Sequence, residues 1–176
     1  FRVETNHHRL ELNGYSLEIT NVFSIFTNLQ GTGTNRWIID GNGGLLQVGT
    51  SSNPIPRIQA GCKMRWDESP PFGAEMFFSN VTVQIYADEF ILGYNANRDR
   101  NPYVTWLGST LTVFQVNRFF LGDNAGATAE LAAVTGGRIQ MGSPDAKCNL
   151  FLGVKRYREN PVWGVIRATN WIWTGS

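Results

Sequence analysis

Hydrophobic and polar residues alternate along much of the chain, beginning with Leu-Glu-Leu at 10–12. The alternation resumes with Leu-Glu-Ile at 17–19, after the dipeptide Asn13-Gly14. A period of two buries one face of a β-strand, and Asn-Gly favours a tight turn between two strands. The pattern therefore predicts a strand, a turn and a second strand, with similar short strands repeated further along the chain.

One strand pattern occurs twice, with a partial third copy. Residues 90–96 read Phe-Ile-Leu-Gly-Tyr-Asn-Ala, residues 119–125 read Phe-Phe-Leu-Gly-Asp-Asn-Ala, and residues 150–153 read Leu-Phe-Leu-Gly. Each copy is a short apolar run that ends in glycine, as expected for a buried strand that enters a turn. We therefore predict equivalent structural turns at Gly93, Gly122 and Gly153.

Glycines also recur at regular intervals. Intervals of 30, 32, 29 and 31 residues separate Gly31, Gly61, Gly93, Gly122 and Gly153. Intervals of 11 separate Gly142, Gly153, Gly164 and Gly175. Eleven residues suit one strand and one turn. The sequence thus predicts an all-β fold, a β-helix or related elongated solenoid with coils of ~30 residues that bury their inward residues against each other. An antiparallel β-sandwich with evenly spaced turns is the alternative.

The length of 176 residues suits one domain with one core. We assign residues 10–176 to a single β-rich domain and residues 1–9 to a polar lead-in that contains His7 and His8. Neighbours in an extended strand point to opposite faces, so these histidines are expected to be exposed rather than to share a metal ion. Residues 125–134 are alanine-rich and are expected to form a short helix or an alanine-lined loop.

The charge balance argues against partners that bind through a strong field. The chain has 15 basic and 14 acidic residues, and only 16% of its residues are charged. Nucleic acid is therefore not expected as a partner. No apolar run approaches the roughly 20 residues of a membrane span. Cys62 and Cys148 lack a CxxC partner, and free thiols are favoured over a long-range disulfide.

No catalytic, nucleotide-binding or metal-binding motif is present, and no cofactor is expected. Glycoside hydrolysis requires two carboxyl groups that flank the bond. Adjacent carboxylates on a strand point apart, and those in turns are usually solvated, so an enzyme is the less favoured interpretation. The carboxylates considered are Asp67, Glu68, Asp88, Glu89, Asp99, Asp123 and Asp145.

Two groups of residues are candidates for ligand binding. Trp171 and Trp173 are i and i+2 neighbours that would share one strand face, and aromatic faces are good platforms for sugar rings. Packing in the core or at a subunit interface is the preferred alternative for this pair. Arg98, Arg100 and Tyr103 belong to the most charged loop of the chain and form the second group.

Short strands that end in glycine, polar turns and little charge resemble the β-helical shafts and spikes of bacteriophage tail fibres, tailspikes and baseplate proteins. The resemblance rests on the pair of repeats at 90–96 and 119–125 and on the Ile-Gln-x-Gly phrases at 58–61 and 139–142. It implies a homotrimeric structural protein of the virion that contacts other virion proteins or a host-surface glycan. A secreted carbohydrate-binding module or a polysaccharide-cleaving β-helix enzyme is the alternative.

Overall fold

The computed structural model describes residues 2–3, 8–21, 24–28, 34–63, 73–95, 103–123, 128–134, 136–154, 163–168 and 170–175. Across these ranges the chain is all-β, and no helix occurs that could cross a membrane. The strands are β1 (Arg2–Val3), β2 (His8–Glu11), β3 (Ser16–Ile19), β4 (Ser24–Asn28), β5 (Thr34–Val48), β6 (Ile55–Lys63), β7 (Gly73–Asn95), β8 (Tyr103–Gly108), β9 (Leu111–Asp123), β10 (Thr128–Ala133), β11 (Arg138–Met141), β12 (Asn149–Val154), β13 (Trp163–Arg167) and β14 (Trp171–Trp173).

The strands form one curled sheet in which every pair between the described strands is parallel. An antiparallel sandwich, the alternative left open by the sequence, is therefore wrong. The sheet contains three ladders. The first ladder is β2-β5-β7-β8-β10-β13, the second is β3-β5-β7-β9-β11-β14, and the third is β1-β4-β6-β7-β9-β12.

The core consists of side chains that lie in register on neighbouring strands. In the second ladder, the buried residues Ile85, Phe114 and Met141 pair in succession. In the third ladder, Phe90 pairs with Phe119, and their rings stack with centroids 5.0 Å apart. Along the parts of β5 and β7 at 37–48 and 75–87, alternate residues thus share one buried face, as the period-two pattern predicted.

An aromatic cluster fills the middle of this core. Trp106 stacks on Phe78 with centroids 4.1 Å apart and meets Phe90 and Phe114 edge-on at 5.6 Å. The cluster draws its rings from all three ladders, because β7 and β9 each run through more than one of them. The three ladders therefore share a single hydrophobic core.

Three glycines lie at equivalent positions in the third ladder. The pairs on either side of them place Gly93, Gly122 and Gly153 side by side in β7, β9 and β12. All three have positive φ values, 86°, 77° and 62°. Each lies inside a strand rather than in a separate turn, so these glycines bend strands that continue beyond them. Gly61 pairs with Tyr94, one position away from this row, and Gly31 lies outside the described residues.

The alanine-rich passage and the N-terminal lead-in differ from what the sequence predicted. The alanine-rich passage contains neither a helix nor a loop at 128–133, because these residues form the buried strand β10 between β8 and β13. Burial in the parallel sheet outweighs the helix propensity of alanine, because tertiary contacts override intrinsic propensity. The lead-in contributes two short strands, β1 and the start of β2. Cys148 is a buried free thiol, and the side chain of Cys62 lies outside the described part.

Candidate functional site: a polar groove between two loops

Two loops of the same form project where the chain passes from the second ladder to the third. In the loop after β5, the backbone N–H and C=O groups of Thr50 and Asn53 bond reciprocally at 3.1 and 3.2 Å. In the loop after β11, Ser143 and Ala146 do the same at 2.8 and 3.2 Å. The hydroxyl of Thr50 accepts a further bond from the N–H of Asn53, and that of Ser143 accepts one from Ala146. The two loops are thus structural repeats of one another.

Glycine starts both loops for a steric reason. Gly49 and Gly142 have φ values of 69° and 72°, in the left-handed region that favours glycine. Each donates its N–H to the strand on one side, to the carbonyl oxygens of Ile19 and Phe114 respectively. A Cβ atom at Gly49 would collide with the carbonyl oxygen of Tyr86. Only glycine lets this loop lie so close to the neighbouring strand.

The two strands between these loops, β7 and β9, also pass from the second ladder to the third, but they do so without an intervening loop. β7 turns the corner between these ladders at Tyr86, Ala87 and Asp88, and β9 turns it at 115–117. In the second ladder the strands lie in the order β5-β7-β9-β11. The loops follow the two outer strands, β5 and β11, and the corners of the two inner strands, β7 and β9, lie between them. At a strand spacing of about 4.8 Å, the walls stand about 14 Å apart.

The resulting groove has a volume of about 230 Å³. Its floor is a two-by-two array in which Tyr86 pairs with Gln115, while Asp88 lies beside Asn117. The amide of Asn117 donates a hydrogen bond to the Asp88 carboxylate at 3.0 Å. The walls add Thr50, Ser51 and Pro54 from one loop and Ala146 from the other. The groove therefore presents hydroxyl, amide and carboxylate groups close to one phenol ring.

A cluster of charged side chains lies next to the groove but does not line it. Glu89 is buried and accepts hydrogen bonds or ion pairs from Arg57 at 2.6 Å and Arg118 at 3.2 Å. These three residues are in register on β6, β7 and β9, so the ladder itself aligns the two cations with the carboxylate. Glu89 is thus not the solvated turn residue that was expected, and both of its oxygens are engaged.

The other carboxylates considered from the sequence do not form a pair with Glu89. Asp88 is exposed, as is Asp145 in the loop after β11. Asp123 ends β9, and its side chain is outside the described part, as are Asp67, Glu68 and Asp99. Within the described ranges, no group of three potential metal-ligating side chains occurs.

Trp171 and Trp173 share one side of β14, and their rings stack with centroids 6.5 Å apart. They pair with Ile139 and Met141, both of which are buried, so the two tryptophans continue inward-facing rows of the second ladder. Trp171 packs against the core, and Trp173 is 41% exposed. Their position is thus at the end of the core, and neither tryptophan lines the groove.

The second group of predicted binding residues is mostly outside the described ranges. Arg98 and Arg100 fall in 96–102, of which nothing is described. Tyr103 begins β8, where its backbone pairs with Gly73 and Thr128. Its strand β8 pairs with β7 and β10, whereas Trp171 and Trp173 lie on β14, which pairs with β11.

Sequence reasoning missed the groove, although a signal was present. The phrase Gln-x-Gly followed by Thr or Ser occurs at 47–50 and at 140–143, where both loops begin. The related phrase at 59–61 lacks the hydroxyl residue and lies inside β6. The floor residues could not be found in this way, because they meet only when β7 and β9 pair.

Comparisons of the chain with protein-family models, with curated proteins and with solved structures found no match.

Proposed function

We propose that this protein is a rigid structural element of a phage tail, as part of a fibre, spike or baseplate, and that its strands wind as a β-helical solenoid. The observation that supports the solenoid most directly is the order of the ladders along the chain. From β1 onward the chain visits the third, first and second ladders in that order and then repeats the cycle through to β14. Paired residues lie from 22 apart (Arg2 and Ser24) to 39 apart (Thr34 and Gly73), which brackets the coil length of ~30 expected from the glycine spacing.

Such a fold would act by being stiff. Continuous parallel ladders satisfy the backbone hydrogen bonds, and the in-register core rows resist sliding of one strand along the next, since a slip of one residue would turn buried side chains outward. The proposed role is mechanical: the scaffold holds surface loops at fixed separations, as it holds the loops after β5 and β11.

Self-association is the second part of the proposal, in the form of a homotrimer. Five large hydrophobic residues are exposed in the described part of the chain, and four of them, all except Tyr15, lie on β12 and β14. Phe151 is one of the four, and it stacks on Phe120 at 4.6 Å. Exposed apolar residues on the last described strands of the second and third ladders support an interaction surface in this region.

Sedimentation and native mass spectrometry test this proposal. The expected result is a trimer that survives dilution and that Ile172→Lys weakens, because Ile172 is an exposed residue of this apolar region. The matched control is Tyr15→Lys, which removes an exposed aromatic residue from a different strand connection and should leave the trimer intact. A monomer at all concentrations would contradict the fibre, spike or baseplate role.

A secreted carbohydrate-binding module is the second candidate, and the polar groove is the observation that favours it. This alternative predicts a stable monomer with affinity for sugar. The position of Trp171 and Trp173 on inward-facing rows supports a packing role for them, so we expect Trp173→Ala to leave sugar affinity unchanged.

A further inference from the structure

We propose that the groove between the loops after β5 and β11 binds one sugar unit of a neutral glycan. The inference gives the second candidate function, carbohydrate binding, a site and a ligand class, and it rests on that candidate alone. It requires neither the trimer nor the virion.

The charge of the groove selects against anionic ligands. Asp88 is the one charged residue among those that line the groove, and its carboxylate is exposed. Arg57 and Arg118, the cations on the strands beside the floor, are both directed to Glu89 on the neighbouring row. Among the residues that line the groove, a phosphate or carboxylate ligand would therefore meet one negative charge and no positive charge.

The polar groups of the floor match a polyol, which both donates and accepts hydrogen bonds. Carboxylate oxygens only accept, whereas the amides of Gln115 and Asn117 do both. Within the described chain, the Tyr86 hydroxyl and the Gln115 amide make no hydrogen bond, and the amide of Asn117 is already oriented by Asp88. The backbones of the two floor strands lie about 4.8 Å apart, a separation comparable with that between hydroxyls on opposite sides of one pyranose ring.

The walls limit the size and direction of the ligand. A volume of about 230 Å³ accommodates a single sugar ring. Thr50 and Ser51 close one side with hydroxyl groups, and Tyr86 offers a partly exposed ring against which the apolar face of a sugar can pack. A longer glycan would have to run along the corner, between the two loops.

The test is a titration of the full chain, labelled with ¹⁵N, followed by NMR. The probes are the methyl glycosides of glucose, galactose, mannose and N-acetylglucosamine, together with the anionic sugar N-acetylneuraminic acid. The expected result is that at least one neutral glycoside shifts the side-chain amide signals of Gln115 and Asn117 and that the anionic sugar does not. No shift with any neutral probe would overturn the proposal, as would tighter binding of the anionic sugar.

Variants place the binding in the groove. Gln115→Ala should weaken binding of the active glycoside by about tenfold, since removing one or two hydrogen bonds costs on the order of 1 kcal/mol each. Gln59→Ala is the matched control, because Gln59 lies on β6 and does not line the groove. Gln115 makes no hydrogen bond in the described chain, so this variant should fold, and a thermal melt checks that it does. Equal affinity in both variants would overturn the assignment of the groove.

The result is separable from the test of the proposed function. A trimer that binds no neutral glycoside would remove the groove proposal and leave the structural role. A monomer that binds the glycoside through Gln115 would do the reverse.

Discussion

The middle of the sheet and its C-terminal strands carry the same inward-facing rows but differ in burial. Leu92, Leu121 and Leu152 follow one another in the third ladder, and the first two are fully buried while Leu152 is 54% exposed. In the second ladder, Phe114 and Met141 are fully buried, and Trp173 at the end of the row is 41% exposed. A side chain that faces inward is therefore not buried unless neighbouring strands also cover it.

The difference shows what a parallel ladder needs in order to form a core. A side chain in the middle is covered by a neighbour on each side, whereas β12 and β14 have a paired neighbour on one side only among the described strands. A fully buried leucine or phenylalanine contributes about 1.5–3 kcal/mol through burial. We therefore expect equal substitutions to have unequal effects in the two regions.

The largest difference is expected for two leucines of the same row. Leu121→Ala should lower the free energy of unfolding by about 2–5 kcal/mol, because it leaves a cavity between two strands. Leu152→Ala should lower it by less than about 1 kcal/mol, since the side chain is already half in solvent. Urea denaturation of both variants measures the two values. Equal losses would mean that Leu152 is covered in solution, as in the proposed trimer.

The glycine row of the middle region is the next test. Gly93→Ala forces alanine into a positive φ and brings its Cβ to 2.7 Å from the Cβ of Ala129, so a loss of about 2–4 kcal/mol is expected. Gly43→Ala is the matched control, because Gly43 has the same φ of 86° and no atom within 4 Å of an added Cβ. It should cost only the backbone strain, about 1–2 kcal/mol. Equal melting temperatures for Gly93→Ala and Gly43→Ala would show that backbone strain alone, without the contact to Ala129, explains the need for glycine at position 93.

The tryptophan pair should contribute less. Trp173→Ala removes one stacked ring, and a stacked pair is worth about 0.5–1.5 kcal/mol beyond its buried area. We expect a loss of about 1 kcal/mol, together with a change in the near-ultraviolet circular dichroism of the indoles. A loss comparable with that of Leu121→Ala would place Trp173 in a fully covered environment and would remove the contrast between the two regions.

The last effect, which depends on pH, is expected at Cys148, a buried residue beside the C-terminal strands. Burial raises the pKa of this thiol to about 12 from 9.0, and a backbone hydrogen bond from Phe119 opposes the shift. The folded state therefore favours the neutral thiol. Its contribution to stability is full below pH 9 and falls as the pH rises toward 12, because only the unfolded chain ionises there.

This pH dependence is measurable in a Cys62→Ala background, so that Cys148 is the remaining thiol. Between pH 8 and pH 10, the Cys148→Ala variant should lose about 1 kcal/mol less stability than its parent. Native Cys148 should also react slowly with a thiol reagent at pH 8. Rapid reaction without unfolding would show that the Cys148 thiol is accessible to solvent in the folded protein.

Much of the fold could be predicted from the sequence, but the candidate site could not. The alternation and the glycine-terminated repeats predicted an all-β chain, and Gly93 and Gly122 do lie side by side. The ends of the strands were harder to predict from the sequence. The long strand β7, for example, continues through a corner at Asn80, which has a positive φ although it is not glycine. The alanine-rich segment was misread, since burial in β10 depends on β8 and β13, which are distant in sequence.

By itself, the sequence determined which residues alternate, where glycine permits a bend, and that the net charge is close to zero. Only the tertiary structure decided that the strands pair in parallel, that Glu89 lies between two arginines, and that Tyr86, Asp88, Gln115 and Asn117 share a floor. The physical reason is one of range. Local patterns choose a strand and its buried face, whereas a groove is built from residues on different strands, whose register is set by packing of the whole core.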